Sequence, residues 1–190
     1  MIAAGSIDVP TSDSINSVTK ELTVAAWFRV DKASDTGIRR PNAFLLEEQS
    51  SSEPVPDGFA FRLWTTSGLS PGIYGKTKLE LGDWYHVAGT WDGTTVKIYK
   101  NGVKGGTDGA SAAIDASALP LMLGQFNNAI YKHKGQLDDC RVYSAALSVD
   151  ELEYMFGEVN EAGNRITWGG VETAGGVAPQ AAFLKMKHRG

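Results

Sequence analysis

One stretch of this 190-residue chain limits its fold more than any other: Trp84-Tyr85-His86-Val87-Ala88-Gly89-Thr90-Trp91, then Asp92-Gly93, then Thr94-Thr95-Val96-Lys97-Ile98-Tyr99-Lys100. Two runs rich in β-branched and aromatic residues flank an Asp-Gly pair, and Gly93 can take the positive φ that a tight hairpin demands. Asn101-Gly102 offers a second such turn into Val103-Lys104-Gly105, so three strands form a meander. Large rings at Trp84, Trp91 and Tyr99 are expected to meet across these strands, at about 0.2–1 kcal/mol per contact.

The remaining chain supplies more strands. Leu22, Val24, Ala26, Phe28 and Val30 alternate with Thr23, Ala25, Trp27 and Arg29, the period-two pattern of a half-buried strand. Residues 43–48 and 58–65 give two more, joined by a polar loop with Pro54, Pro56 and Gly58; residues 119–123 and 135–143 complete the set. Residues 125–132 read as a polar, aromatic loop. Ser148-Val149-Asp150-Glu151 matches a capping box and opens a short helix to Phe156, which Gly157 is placed to stop. Strands at this spacing with one terminal helix predict an all-β, two-sheet antiparallel sandwich. Gly at 22 residues, well above the usual ~7%, suits its tight turns.

Residues 158–190 differ in character. Residues 165–190 hold Arg165, Lys185, Lys187 and Arg189 against Glu172 alone, a charge of +3 that leaves −7 on the rest of a −4 chain. Trp168 and Phe183 are the aromatics of this Gly-rich segment. It reads as an extended basic arm on a domain spanning 1–157. Such an arm buries too little apolar surface by itself to offset chain entropy, so it is expected to lie on a partner or a neighbouring copy.

Composition narrows the function. The acidic balance argues against a dominant nucleic-acid surface, and no run reaches the ~18 apolar residues of a membrane span. A single cysteine, Cys140, excludes an intrachain disulfide and shares strand parity with Val142, so it is expected to be a small buried hydrophobe. The opening Met1-Ile2-Ala3-Ala4-Gly5 lacks the basic region and apolar run of a secretory signal. The corresponding expectations are a trimmed chain, or release without its own signal, as in virions.

Two motifs carry a family resemblance. Gly82 to Gly93 resembles the central hairpin of laminin-G-like, concanavalin A-like jelly rolls, where a Trp, one residue and His-Val-Ala precede Thr-Trp-Asp-Gly; Val96 to Gly102 continues it. Lys134-Gly135-Gln136-Leu137-Asp138-Asp139-Cys140-Arg141-Val142-Tyr143 is similar to the closing signature, followed by a helix entry at Leu147-Ser148. Ile7 to Pro10 and Leu22 to Val30 match the opening strands. The resemblance spans roughly 1–157 and implies a jelly-roll sandwich.

It also implies where chemistry would lie. Glucanases of this fold carry Glu-x-Asp-x-x-Glu along one strand, placing two carboxyls ~5 Å apart on one face. This chain has no such run: Glu47 and Glu48 are neighbours, which a strand sends to opposite faces. His86 is expected to be packed within its strand, and His133 lies between Lys132 and Lys134 in a loop. No catalytic set emerges. Many members hold calcium through oxygen ligands; Asp138 matches the signature Asp, with Asp8 or carbonyls near Gly5 as completing ligands. Glycan contacts in such sandwiches come from loop aromatics and amides, here Phe126, Asn127, Asn128 and Tyr131, with Trp64 as a second location.

The expected function is therefore a non-catalytic binding or adhesion module in a larger assembly. A virion surface or decoration protein would fit, its arm (Arg165, Trp168, Phe183, Lys185, Lys187, Arg189) contacting a neighbouring subunit. The alternative is a carbohydrate-binding module of a secreted bacterial protein. Either places the chain outside the cell or on a virion.

Overall fold

The computed structural model describes residues 7–16, 18, 20–32, 36–49, 58–65, 68–69, 73–74, 79–110, 114, 117–126, 131–157 and 181–182. Their strands build two facing antiparallel sheets. The first holds β1 (Ile7–Val9), β3 (Gly37–Arg40), β4 (Phe44–Glu48), β5 (Phe59–Thr65), β6 (Gly68–Leu69), β7 (Ile73–Tyr74) and β11 (Leu121–Leu123), in the order β1-β11-β3-β4-β5-β6 with β7 also on β5. The second holds β2 (Leu22–Lys32), β8 (Trp84–Trp91), β9 (Thr95–Lys100), β10 (Val103–Ala110), β14 (Lys134–Tyr143) and β15 (Ala181–Ala182), in the order β10-β9-β8-β2-β14-β15. A small ribbon pairs β12 (Gln125–Phe126) with β13 (Tyr131–Lys132). Helices α1 (Asp13–Asn16) and α2 (Val149–Gly157) complete the described elements.

The expected meander forms as β8-β9-β10. Gly93 has φ of 92°, and Asp92 Oδ1 accepts the backbone N–H groups of Thr94 and Thr95. Asn101 and Gly102 both take positive φ at the second turn. The capping box also forms: Glu151 Oε2 accepts the Ser148 N–H at 2.7 Å, and Ser148 Oγ accepts the Glu151 N–H, a cap of a kind that contributes about 1 kcal/mol.

Between the sheets, Val24, Ala26, Phe28, Val87, Trp91 and Ile98 meet Phe44, Leu46, Phe59, Phe61 and Leu63 in one core. Cys140 and Val142 join it, as their shared parity predicts. Strand β14 keeps this parity through a bulge between Asp138 and Arg141, where Asp139 takes φ of 49°. The extra residue returns Cys140 to the inside after Leu137 has already pointed there.

Three expectations need correction, and two elements are added. Strand β2 is buried on both faces from Leu22 to Phe28, not half-buried. Its outward residues lie under α2: Ala25 clusters with Ala88, Tyr99, Tyr143, Leu147, Leu152 and Met155, and Trp27 stacks on Phe156 at 5.8 Å. The rings of Trp84, Trp91 and Tyr99 do not share a face. Trp84 and Trp91 are seven residues apart, an odd interval, so Trp91 enters the core while Trp84 is 40% exposed outside; Tyr99 lies under α2. Segment 125–132 is not simply a loop, because β12 and β13 pair within it. The one-turn α1 and the strand β3 join the predicted elements. Buried Arg40 of β3 holds α1 in place, donating to the carbonyls of Ile15 and Ser117 and to Asn16 Oδ1.

Candidate binding site

The outward face of the first sheet gathers the polar and aromatic groups that the core excludes. Period-two alternation in β5 sends Phe59, Phe61 and Leu63 inward and Arg62 and Trp64 outward. Register then sets a row across the sheet: Asp8, Met122, Arg39, Leu45 and Arg62 stand opposite one another in turn. The next outward row runs Gly37, Glu47, Ala60.

Contacts tie these rows together. The Arg39 guanidinium lies 5.3 Å from the centroid of the half-buried Trp64 ring, a cation–π arrangement. Burial pulls the Arg39 pKa below its ordinary value, opposed by the charge of Glu47. Arg62 Nε sits 3.4 Å from Glu47 Oε1. This face therefore carries a half-buried aromatic ring and two half-buried guanidinium groups, which can hydrogen-bond hydroxyls and lie against the apolar face of a sugar ring, while the Glu47 carboxylate is buried beneath them and held by Arg62.

The residues expected from sequence do not form one site. The Trp64 backbone N–H donates to Ala43 O, just before β4. The β12–β13 ribbon lies at the opposite end, where Gly124 donates to Gly37 O, and Gly37 pairs with Glu47 near the end of β4. About four residues along the strands separate them, on the order of 13 Å. Phe126 and Tyr131 stand directly opposite each other in the ribbon register. Asn127 and Asn128 lie outside the described residues. Arg39, Arg62 and Glu47 were missing from the expected set; the parity of Arg62 with Trp64 in Phe-Ala-Phe-Arg-Leu-Trp was the available signal.

The carboxylates and histidines fall as follows. Glu47 and Glu48 do point to opposite faces, Glu47 to Arg62 outside and Glu48 to His133 inside. His86 is 4% exposed with its ring 5.5 Å from that of Trp27, packed as expected. His133 does lie outside the strands, between β13 and β14, and its side chain is 4% exposed. Asp8 accepts the Gln125 amide at 2.6 Å in the first sheet; Asp138 accepts the Asp139 N–H at 2.8 Å in the second. Among the described residues no group of three or more His, Cys, Asp or Glu could hold a metal ion. Gly5 lies outside the described residues, as do Arg165, Trp168, Phe183, Lys185, Lys187 and Arg189. Of the arm, Ala181 and Ala182 are described, and they pair with Tyr143 and Val142 of the same chain.

Compared with known sequences, residues 3–153 match the laminin-G type model of the concanavalin A-like lectin/glucanase superfamily. The chain belongs to this superfamily. Its fold recurs in a protein of Bacteroides ovatus described as carbohydrate-binding, at TM-score 0.62 and 19% identity over 78% of this chain and 43% of that one. Domain 4 of the extracellular arabinanase AbnA of Geobacillus stearothermophilus, solved with arabinotriose, gives 0.58 and 18% over 79% and 71%. The binding domain of Paraclostridial Mosquitocidal Protein 1 gives 0.61 and 18% over 80% and 41%. The chain thus spans less than half the length of the first and third. At these identities the likeness is one of fold. No curated protein matches the chain. Within the superfamily, the sandwich serves both binding domains and glucanases, so the site's own residues must decide between them.

Proposed function

We propose that this superfamily member is a non-catalytic carbohydrate-binding module, working outside the cell, whose ligand lies on the outward face of the first sheet at Trp64, Arg39 and Arg62. The observation that carries this reading is the Trp64 ring held under the Arg39 guanidinium beside the Arg62–Glu47 pair. The split of Glu47 and Glu48 to opposite faces supports a binding rather than a hydrolytic role, because retaining hydrolysis needs two carboxyls on one face. The lectin-type fold and its saccharide-bound neighbour add support.

Calorimetric titration against a panel of polysaccharides tests it. Affinity for the best ligand is expected to fall at least about tenfold on Trp64→Ala, since an anchoring aromatic side chain contributes about 1.4 kcal/mol or more. Phe126→Ala with Tyr131→Ala separates the ribbon from this face as the anchor. Unchanged affinity in Trp64→Ala, or no binding to any glycan, overturns the assignment. Structural calcium at Asp138 and Asp8 is a separate proposal resting on the resemblance; identical melting in calcium and in chelator removes it.

A second reading treats the chain as one subunit of a larger assembly, such as a virion surface or decoration protein. Its support is the +3 charge of residues 165–190 against the −7 of the rest, which attract one another between copies. Native mass by light scattering distinguishes the readings, a very large particle favouring the assembly and a monomer the free module.

A further inference from the structure

Strand β14 forms one side of the second sheet, with β2 along its length and, among the described residues, β15 beside Val142 and Tyr143. The β15 register fixes what a longer strand would meet. Ala181 stands opposite Tyr143 and Ala182 opposite Val142. Continued antiparallel, Phe183 would meet Arg141. The bulge then sets Asp139 and Cys140 together against one partner, as it does against β2. On that register Leu184 would fall beside Cys140, Lys185 opposite Asp138, Met186 opposite Leu137 and Lys187 opposite Gln136.

The chemistry of the pairings from Leu184 to Lys187 matches. Cys140 is buried in the core and Leu137 packs against it, the side on which Leu184 and Met186 would fall. Arg141 and Asp138 are outward, the side of Phe183, Lys185 and Lys187. Leu184 and Met186 would thus meet apolar residues and Lys185 a carboxylate, while Phe183 would lie opposite the Arg141 side chain. Without the bulge, Met186 would face Asp138 and Lys185 would face Asp139, so the match depends on that one extra residue. Opposite charges directly across a strand pair are favourable and an apolar–polar mismatch is not.

We infer that the edge of β14 is a strand-acceptor site whose occupant is residues 181–187 of the same chain, docked as a full edge strand that closes the second sheet. Residues 158–180 join it to α2 and contain Gly163, Gly169, Gly170, Gly175 and Gly176. A flexible tether of this length has a reach of roughly 26 Å, enough to return to β14, and it holds the strand at an effective concentration near the millimolar range. A second copy at micromolar concentration competes poorly against that. The covered edge also removes a row of backbone donors and acceptors that would otherwise template aggregation. This inference is independent of any sugar ligand.

Hydrogen exchange by NMR on the full chain tests it, at low and at high protein concentration. The amides of 183–187 are expected to exchange at least about tenfold more slowly than in an unstructured peptide, equally at both concentrations. Leu184→Asp with Met186→Asp is expected to abolish that protection while the β8–β9 amides keep theirs. Lys185→Asp is expected to weaken it, and Asp138→Lys in the same chain to restore it. Protection that appears only at high concentration, together with a dimeric mass, overturns the proposal in favour of exchange between copies. Peptide-like exchange in the wild type, or protection that survives Leu184→Asp with Met186→Asp, overturns it outright.

Discussion

Gly89→Ala is expected to destabilise the protein by about 3 kcal/mol, the upper part of the usual overpacking range. Gly89 lies in mid-β8, paired with Val24 on one side and Ile98 on the other. A methyl group there would sit 2.2–2.5 Å from three ring carbons of Phe61, which reaches across from the other sheet. Phe61 is fully buried and paired with Leu46 in β5, so its ring has little room to retreat. Replacing a strand glycine by alanine ordinarily gains about 0.5–1 kcal/mol; the clash outweighs that gain. Urea unfolding measures the loss. Phe61→Leu in the same chain should recover part of it, so that the double variant is more stable than Gly89→Ala alone. A Gly89→Ala protein as stable as the wild type would show that the sheets do not meet at this point.

The contrast between Gly89 and its surroundings shows what the sequence made legible. The β8–β9 hairpin follows from local chemistry alone, because Asp92-Gly93 specifies the turn and alternation specifies the faces. Parity likewise separated Glu47 from Glu48 and placed Cys140 inside, each a consequence of one strand's geometry. Parity was also there to separate Trp84 from Trp91, and the expectation that their rings meet overlooked it. Other features depend on chain segments that meet only in three dimensions. Burial of β2 on its outer face needs α2, more than 100 residues later. The Trp64–Arg39 stack needs β3, whose Gly-Ile-Arg-Arg carries no clear strand pattern and whose Arg40 turns inward to bind carbonyls. The β14 bulge has no signature in Leu-Asp-Asp-Cys beyond an Asp that tolerates positive φ. The candidate site was therefore legible in one member, Trp64, while its charged companions became visible only through register.

His133 gives the second large effect. It follows β13, and its backbone N–H closes the ribbon onto Gly124 O at 2.9 Å. Its ring lies edge-on to Phe28, with Nδ1 3.3 Å from Glu48 Oε1 and Nε2 3.1 Å from Arg29 O and 3.4 Å from Gln136 O. A neutral imidazole has one N–H, so one of its nitrogens would turn a lone pair on an acceptor; the imidazolium donates from both. Burial by itself would pull the His133 pKa down. The hydrogen bond and charge of Glu48, with the two carbonyls, outweigh it and hold the folded value above the ordinary 6.5. A raised folded pKa means that the proton stabilises the fold: the contribution is fully present below the unfolded value and is lost as pH rises through the folded one. Glu48→Gln removes the carboxylate and leaves burial in control, so His133 of that variant is expected to titrate below the wild-type value. The stability difference between wild type and Glu48→Gln should then be about 3 kcal/mol near pH 6, as for a broken buried ion pair, and should shrink as pH rises through the folded His133 value. Urea unfolding across that range, with the His133 ring proton followed by NMR, measures both. A difference that stays constant or grows with pH would mean that His133 is neutral in the fold and that the two sheets are not joined here by charge.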